Sequence, residues 1–216
     1  MLSRPWCRIF VALLLSAGTL SAQSPPPLLD IVRERIKPNS EAAYSRVEEN
    51  GARVCARLCP NSYLALESMT KPREVLWLNQ YATAADRDAV TQAYQRDTAL
   101  MSELTKVLAP KKTLTLGSTT IATIYNAAAS DGCVWRTDAV RFFVVAESRD
   151  GGGLAAGGGC VFEDGAGTRF ILAPSSSRDE ANRIAKRVGA GGRIFAVRRT
   201  WSNPSSAQST GRPKRS

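Results

Sequence analysis

The chain has 216 residues and a formal net charge of +10, and it contains no histidine. The lack of histidine excludes a Ser-His-Asp triad, a histidine-ligated metal or haem and a histidine general base, so we expect no metal and no cofactor. Residues 25–177 carry 17 basic and 17 acidic side chains, whereas residues 178–216 carry 10 basic and two acidic ones. Because no aromatic residues are interleaved with the basic ones, we expect no nucleic acid partner.

The first 22 residues have the pattern of a cleavable secretory signal peptide. Arg4 and Arg8 precede an apolar run at residues 9–15, and small residues follow as far as Ala22. A membrane-spanning helix needs about 20 apolar residues, and this run is shorter. The sequence therefore predicts an exported protein, periplasmic or extracellular, with no transmembrane segment after cleavage. Residues 23–27 form a Pro-rich spacer.

Residues 28–126 have the order β-α-β-β-α-β of a ferredoxin-like unit. The predicted strands cover residues 28–37, 63–69, 74–81 and 113–125, and the predicted helices cover residues 41–59 and 83–110. Thr83 with Asp86 resembles a capping box at the start of the second helix. Apolar stripes at helical spacing comprise Tyr44, Val47, Gly51, Val54, Cys55 and Leu58 in the first helix, and Val90, Tyr94, Met101, Leu104 and Leu108 in the second.

The second half of the chain predicts an abbreviated copy of the same unit. Residues 127–138 read as a linker, and residues 139–201 have the order β-β-β-α-β, with a glycine-rich run at 151–159 in place of the first helix. Ser177 with Glu180 has the spacing of a helix cap, and the predicted final strand covers residues 193–201. The fold class is therefore α+β, with tandem ferredoxin-like units paired as an intramolecular α/β barrel. Residues 202–216 lack large apolar side chains and predict a disordered basic tail, which could make weak contact with an acidic envelope surface.

Four cysteines remain after the leader, and they allow three pairings. We favour a disulfide between Cys133 and Cys160, since both flank strand-like segments, and closing that loop would stabilise the fold by about 3–4 kcal/mol. Cys55 and Cys59 are four residues apart near a helix end, so a second disulfide is possible there. A zinc site formed by these four thiolates would be poorly spaced.

The segment ERIKPNSEAAYSRV at residues 34–47, with YATAAD at residues 81–86, resembles the dimeric α/β barrel superfamily. Within it, the chain is most similar to antibiotic-biosynthesis monooxygenase and NIPSNAP-type domains, where a strand leads through a Lys-Pro turn into an amphipathic helix. The resemblance covers residues 28–125 and, less clearly, residues 139–201. It implies two sheets paired into a barrel. It also implies, for the monooxygenases, a polar pocket between sheet and helices where an aromatic substrate reacts with oxygen without a cofactor.

Three side chains of the third predicted strand, residues 74–81, are candidates for such a pocket. Trp77, Asn79 and Tyr81 alternate along a strand and share one face. Asn79 could then hydrogen-bond a substrate oxygen, Trp77 and Tyr81 could form ligand-binding walls, and Glu67 on the paired strand could act as the base. The alternative is an aromatic core with a satisfied asparagine.

Two functions remain open from the sequence. The first is an exported, non-catalytic module that binds a small apolar or aromatic ligand or another protein. The second is a cofactor-independent monooxygenase-like enzyme that acts on a small aromatic substrate.

Overall fold

The computed structural model describes residues 24–130, 132–135, 139–149, 158–189 and 191–203. The predicted signal peptide, most of the glycine-rich run and nearly all of the predicted basic tail lie outside these residues.

The described chain contains strands and helices in nearly the predicted order. The strands are β1 (Leu28–Ile36), β2 (Tyr63–Ser68), β3 (Glu74–Tyr81), β4 (Thr115–Tyr125), β5 (Phe142–Ser148), β6 (Cys160–Asp164), β7 (Arg169–Ser175) and β8 (Arg193–Val197). The α-helices are α1 (Glu41–Leu58), α2 (Ala84–Arg96), α3 (Thr98–Leu108), α4 (Lys111–Leu114) and α5 (Arg178–Val188), and a 3-10 turn covers Ala127–Ala129.

The eight strands form one closed antiparallel barrel with the order β1-β3-β2-β8-β5-β7-β6-β4. The first four strands lie together in the order β4-β1-β3-β2, and the last four lie together in the order β8-β5-β7-β6. Short ladders between β2 and β8 and between β4 and β6 join the two halves. Closure removes the free sheet edges that would otherwise pair with another chain. The fold is therefore α+β, and the barrel is formed within a single chain.

Side chains fill the interior of the barrel. Because strand residues alternate between faces, the inward set is apolar and mostly aromatic or branched. The buried members of this core are Leu29, Ile31, Leu64, Leu66, Leu76, Leu78, Trp135, Val140, Phe143, Val145, Cys160, Phe162, Phe170, Leu172 and Phe195. Trp135 comes from the predicted linker, yet it is 1% exposed and contacts Phe143 and Phe162 with ring centroids 5.7 and 5.6 Å away. A ligand must therefore lie outside the barrel interior.

The helices pack on the outer face of the barrel. α5 covers β5, β7 and β8 through Ala181, Ile184 and Val188, which pack directly against the strands. α1 and α3 pack against each other over the first half of the barrel, where Gly51 permits a close approach. A Cβ at Gly51 would lie 2.8 Å from Leu108 Cδ2. None of the described helices is long and apolar enough to cross a membrane.

Several local predictions are confirmed. β3 has the predicted bounds, and Thr83 caps α2 by accepting a hydrogen bond from the Asp86 backbone N–H at 3.1 Å. Ser177 caps α5 in the same way through the Glu180 N–H at 3.2 Å. These motifs are local, so their residues determine them without help from the rest of the fold.

Other predictions are wrong at element ends. The predicted second helix is divided between α2 and α3, because the Asp97 side chain accepts a hydrogen bond from the Leu100 N–H and caps a new helix. The break changes the phase of the stripe, so Leu100 is buried while Met101 is 41% exposed. Leu58 is 44% exposed, because α1 ends there.

The last strand and the fourth strand are shorter than the sequence predicts. β8 ends at Val197, and the chain then turns, with the Trp201 N–H donating to the Arg198 carbonyl at 3.0 Å. This turn places Trp201 on the outer face, where its ring lies 6.4 Å from the ring of Trp77. β4 begins at Thr115, because residues 111–114 form α4.

Candidate functional site

A cavity of about 340 Å³ lies between helices α1, α2 and α3 and the outer face of the first half-sheet, which consists of strands β4, β1, β3 and β2. Its floor comes from β1, β3 and the start of β2, and its roof comes from the helices. The lining residues are Asp30, Val32, Glu34, Glu48, Gly51, Ala52, Cys55, Asn61, Tyr63, Trp77, Asn79, Tyr81, Val90, Thr91, Tyr94, Leu104, Leu108, Lys111 and Thr120. The cavity is thus apolar and aromatic along most of its wall, with polar groups concentrated at two places.

The strand register places the floor residues. Asp30 lies opposite Asn79 and Val32 lies opposite Trp77, so the alternating side chains of β1 and β3 reach the same face. Glu34 follows two residues after Val32 on that face. Since a strand rises about 3.3 Å per residue, the Cα atoms of Asp30 and Glu34 are about 13 Å apart. The two polar places therefore lie at opposite ends of the floor, with Val32 and Trp77 between them.

The first polar place is a hydrogen-bonded group around Asn79. The Asn61 side-chain amide donates to Asn79 Oδ1 at 2.9 Å, and the Tyr94 hydroxyl donates to Asn61 Oδ1 at 2.7 Å. Asn79 Nδ2 has a single long contact, 3.5 Å to the Asp30 carbonyl oxygen. Burial, together with the nearby Tyr81, raises the pKa of Tyr94 to about 12, so its hydroxyl stays protonated and can donate at neutral pH. The Asn79 amide keeps a donor available for a ligand oxygen.

Asp30 adds a carboxylate at this end of the cavity. Its nearest cation is Arg87 on α2, whose Nη1 is 3.6 Å from Asp30 Oδ1, which is longer than a hydrogen bond. Oδ1 is buried and accepts no hydrogen bond from the described residues. Burial raises the pKa of Asp30, and the charge of Arg87 opposes that rise.

The second polar place is a buried charge cluster formed by Glu34, Glu48 and Lys111. Lys111 Nζ lies 2.8 Å from Glu34 Oε1 and 2.7 Å from Glu48 Oε1. The Tyr44 hydroxyl donates to Glu34 Oε2 at 2.5 Å. Lys111 Nζ also lies 5.2 Å from the ring centroid of Trp77, which is close enough for a cation–π contact. Three elements, β1, α1 and α4, therefore bring the charges together.

Burial perturbs the ionisation of this cluster. It raises the pKa of Glu48, although Lys111 opposes the rise. For Lys111 burial favours the neutral amine, but the carboxylates of Glu48 and Glu34 outweigh it and hold the pKa above its ordinary value. Burial and the same two carboxylates also raise the pKa of Tyr44. Perturbed groups of this kind, lining a cavity, are typical of functional sites.

The structure brings together three of the four predicted site residues. Trp77, Asn79 and Tyr81 line the same cavity. Glu67 shares their sheet face but lies outside the lining, half-buried, with Oε2 3.6 Å from Nε of Arg198. Any carboxylate that acts on a ligand here is therefore Asp30, Glu34 or Glu48.

Sequence reasoning missed the charge cluster, although part of it was visible. Glu48 lies one helical turn after Tyr44 and three residues before Gly51, which places it on the buried stripe of α1. A carboxylate at such a position predicts a buried partner. Lys111 has no comparable signal, because it follows Pro110 between the predicted second helix and the predicted fourth strand.

The described cysteines form two disulfides, Cys55–Cys59 and Cys133–Cys160. The second has the favoured pairing, and it ties the segment that carries Trp135 to the start of β6. The first lies at the end of α1, where Cys55 also lines the cavity. Within the described residues, no group of three or more histidine, cysteine or acidic side chains is arranged to hold a metal ion.

Comparison with known proteins gives matches at the level of structure. No family model and no curated protein sequence matches the chain. A provisionally named monooxygenase from Fusobacterium nucleatum is 11% identical, with a TM-score of 0.51, over 81% of this chain and 93% of that one. A provisionally named monooxygenase from Lactobacillus acidophilus is 6% identical, with a TM-score of 0.48, over 80% and 94%.

A NIPSNAP family protein from Agrobacterium tumefaciens is 15% identical, with a TM-score of 0.39, over 49% of this chain and 90% of that one. At these identities the likeness concerns the fold alone. The single-chain closed barrel, with helices on its outer face, shares its fold with the protein from Fusobacterium nucleatum, and it is the kind of α/β barrel that the sequence resemblance implied.

Proposed function

We propose that the protein binds a small aromatic molecule in the cavity between the half-sheet and helices α1, α2 and α3. The observation that supports this is the cavity itself, about 340 Å³ with Tyr63, Trp77, Tyr81 and Tyr94 in its lining. That volume lies at the lower end of the range typical of small-molecule sites. Aromatic walls favour a flat ring, since ring pairs add about 0.5–1.5 kcal/mol beyond their buried area.

The polar groups at the Asn79 end would orient such a ligand. Asn79 Nδ2 is available to donate to a hydroxyl or carbonyl oxygen, because its single contact is 3.5 Å long. A hydrogen bond to a ligand oxygen would contribute about 0.5–1.5 kcal/mol. The first function is thus ligand binding without chemistry.

A pair of matched variants on α1 tests the binding site. Ala52 lines the cavity, whereas Ala56, one turn later, is exposed and does not. We expect 2-naphthalenemethanol to quench tryptophan fluorescence in a saturable way. Ala52→Leu should weaken the binding about tenfold or more by filling the cavity, and Ala56→Leu should leave it unchanged. Absence of saturable binding, or equal effects of both variants, would count against the proposal.

Oxygenation without a cofactor is the second candidate, and Asp30 favours it. Its carboxylate is partly buried, lacks a hydrogen bond at Oδ1 and has a raised pKa, which makes it a better proton acceptor than an exposed aspartate. The reaction would be R–CH₂–R′ + O₂ → R–CO–R′ + H₂O. Asp30 would take one C–H proton, the carbanion would give an electron to O₂, and the two radicals would combine as a peroxide. Asp30 would return the proton, and loss of water would leave the ketone.

Oxygen uptake measures this second function. The probe is anthrone, whose methylene is acidified by the flanking rings. We expect turnover without added metal or cofactor, with about a hundredfold loss in Asp30→Asn. Asp88→Asn, on the exposed side of α2, is the control. Binding of anthrone without oxygen uptake would leave the non-catalytic function in place and exclude this one.

We propose in addition that the two halves of the barrel are tandem ferredoxin-like units and that the protein is exported. Each half has its strands in the order fourth-first-third-second, which is the order of that fold.

Two disulfides are compatible with an oxidising compartment, which supports the proposal of export. N-terminal sequencing of the protein recovered from the periplasm or medium tests export, with cleavage after Ala22 as the expected result and intact protein in the cytoplasm as the contrary one.

A further inference from the structure

We infer that the ligand of this cavity carries a positively charged amine, which binds beside Glu34 and Glu48 at the Lys111 end of the floor. The inference rests on the proposed binding function and adds the chemical class of the ligand. It concerns the end of the cavity that the Asn79 group does not reach.

The charge balance of the cluster is the first argument. Glu34 and Glu48 are 7% and 4% exposed, and both contact Lys111. When all three are ionised, the cluster carries one uncompensated negative charge in a place where water is largely excluded. An unpaired buried charge is costly, so the empty site is unfavourable as it stands. A ligand ammonium would make two carboxylates face two cations.

The hydrogen bonds of the cluster give a second argument. Glu34 and Glu48 share Lys111, whose Nζ lies 2.8 Å from Glu34 Oε1 and 2.7 Å from Glu48 Oε1. An ammonium offers three N–H donors and no acceptor, which suits two carboxylates that share one lysine. A hydroxyl could also donate here, but it would leave the negative charge uncompensated.

The aromatic side chains beside the cluster also suit a cation. Lys111 Nζ lies 5.6 Å from the ring centroid of Tyr44 and 5.2 Å from that of Trp77. Ring faces attract cations within about 6 Å. An aromatic amine that stacks along Val32 and Trp77 would therefore place its ring over the apolar floor and its ammonium at the carboxylates. An anionic ligand would instead meet the carboxylates of Asp30, Glu34 and Glu48.

At low pH a proton competes with the amine for this cluster. Burial raises the pKa of Glu48, which faces Glu34 of β1, Lys111 of α4, Tyr63 of β2 and, on its own helix, Tyr44. Protonation neutralises the excess charge. Because the ammonium would displace this proton, amine binding should weaken as the pH falls and should release protons to solution.

Three probes with one ring and different charges test the inference on the full chain. They are 2-naphthylmethylamine, 2-naphthalenemethanol and 2-naphthoate, titrated at pH 7 by tryptophan fluorescence. We expect the amine to bind about tenfold tighter than the alcohol, and the carboxylate to bind weakest. Equal binding of amine and alcohol, or tighter binding of the carboxylate, would overturn the inference while leaving the proposed binding function intact. If none of the three binds, the proposed function itself fails.

Variants identify the carboxylate responsible. In Glu48→Gln we expect the preference for amine over alcohol to disappear, with alcohol binding retained as evidence of an intact cavity. Glu147→Gln is the matched control and should keep the preference. The Glu147 carboxylate lies outside the cavity lining and pairs with Arg33 at a distance of 2.7 Å. Proton release on amine binding, measured in weakly buffered wild-type protein at a series of pH values below 7, needs no variant. Unchanged pH in that experiment would contradict displacement of a proton from Glu48.

Discussion

Replacing Lys111 with methionine should destabilise the fold in a pH-dependent way. Methionine keeps the apolar stem that packs beside Tyr44 and Trp77, so the change removes the charge with little loss of packing. Two carboxylates that are 7% and 4% exposed would then face each other without a cation. Removing one partner of a buried ion pair typically costs about 3–5 kcal/mol. Because Lys111 is itself partly accessible, we expect about 3 kcal/mol at pH 7.

The pH dependence separates this cause from a packing defect. The pKa of Glu48 is already raised by burial, and without Lys111 it rises further, so the folded state binds a proton more tightly than the unfolded state. A group with a raised folded pKa gains stability as the pH falls, so the deficit of Lys111→Met should shrink between pH 7 and about pH 5. Lys111 itself stays charged over that range in both states, because its folded pKa is raised.

Urea denaturation at pH 7 and pH 5 measures the difference in the free energy of unfolding. Lys112→Met, at the adjacent exposed position, is the control and should change stability by less than about 0.5 kcal/mol. The reasoning would be refuted if the two variants had equal stability, or if the deficit of Lys111→Met stayed constant or grew in acid.

Three further predictions concern the barrel and its helices. Trp135→Ala should lower the free energy of unfolding by about 3–5 kcal/mol, because Trp135 fills the barrel. Val134→Ala, at the neighbouring site that is 43% exposed, should lower it little. Equal losses of stability in urea denaturation would contradict the packing described above. Cys133→Ala opens a disulfide with a sequence separation of 27 and should cost about 3–4 kcal/mol. A variant as stable as the oxidised wild type would count against the bridge. Thr83→Ala removes the α2 cap and should lower the free energy of unfolding by about 1 kcal/mol. Thr83→Ser is the control and should keep the cap. A loss of stability in both variants would point to another cause.

Local patterns predicted the elements and part of the site. The alternation along β3 correctly put Trp77, Asn79 and Tyr81 on one face, because the period of a strand does not depend on its partners. The helix caps at Thr83 and Ser177 were predicted for the same reason. The resemblance at residues 34–47 led to the right barrel fold.

What the sequence did not reveal depends on contacts between distant segments. Glu34 and Lys111 are 77 positions apart, and only the arrangement of α4 beside β1 brings them within 2.8 Å. Trp135 looked like a linker residue, because nothing local indicates that its segment turns into the end of the barrel. Glu67 lies on the same face of the sheet as Trp77 and Asn79 but outside the cavity lining. The alternation along a strand predicts the face on which a side chain lies, but it does not predict how far along that face the cavity extends.

Closure of the barrel within one chain has a consequence for binding stoichiometry. A barrel made from two identical subunits presents the same outer surface twice, so a site on one half is repeated on the other. Here the halves differ, because α5 packs directly on its strands through Ala181, Ile184 and Val188, while α1 and α3 leave a cavity above theirs. The outer surfaces can therefore change independently of each other. Calorimetric titration should accordingly give one ligand per barrel at this site rather than two.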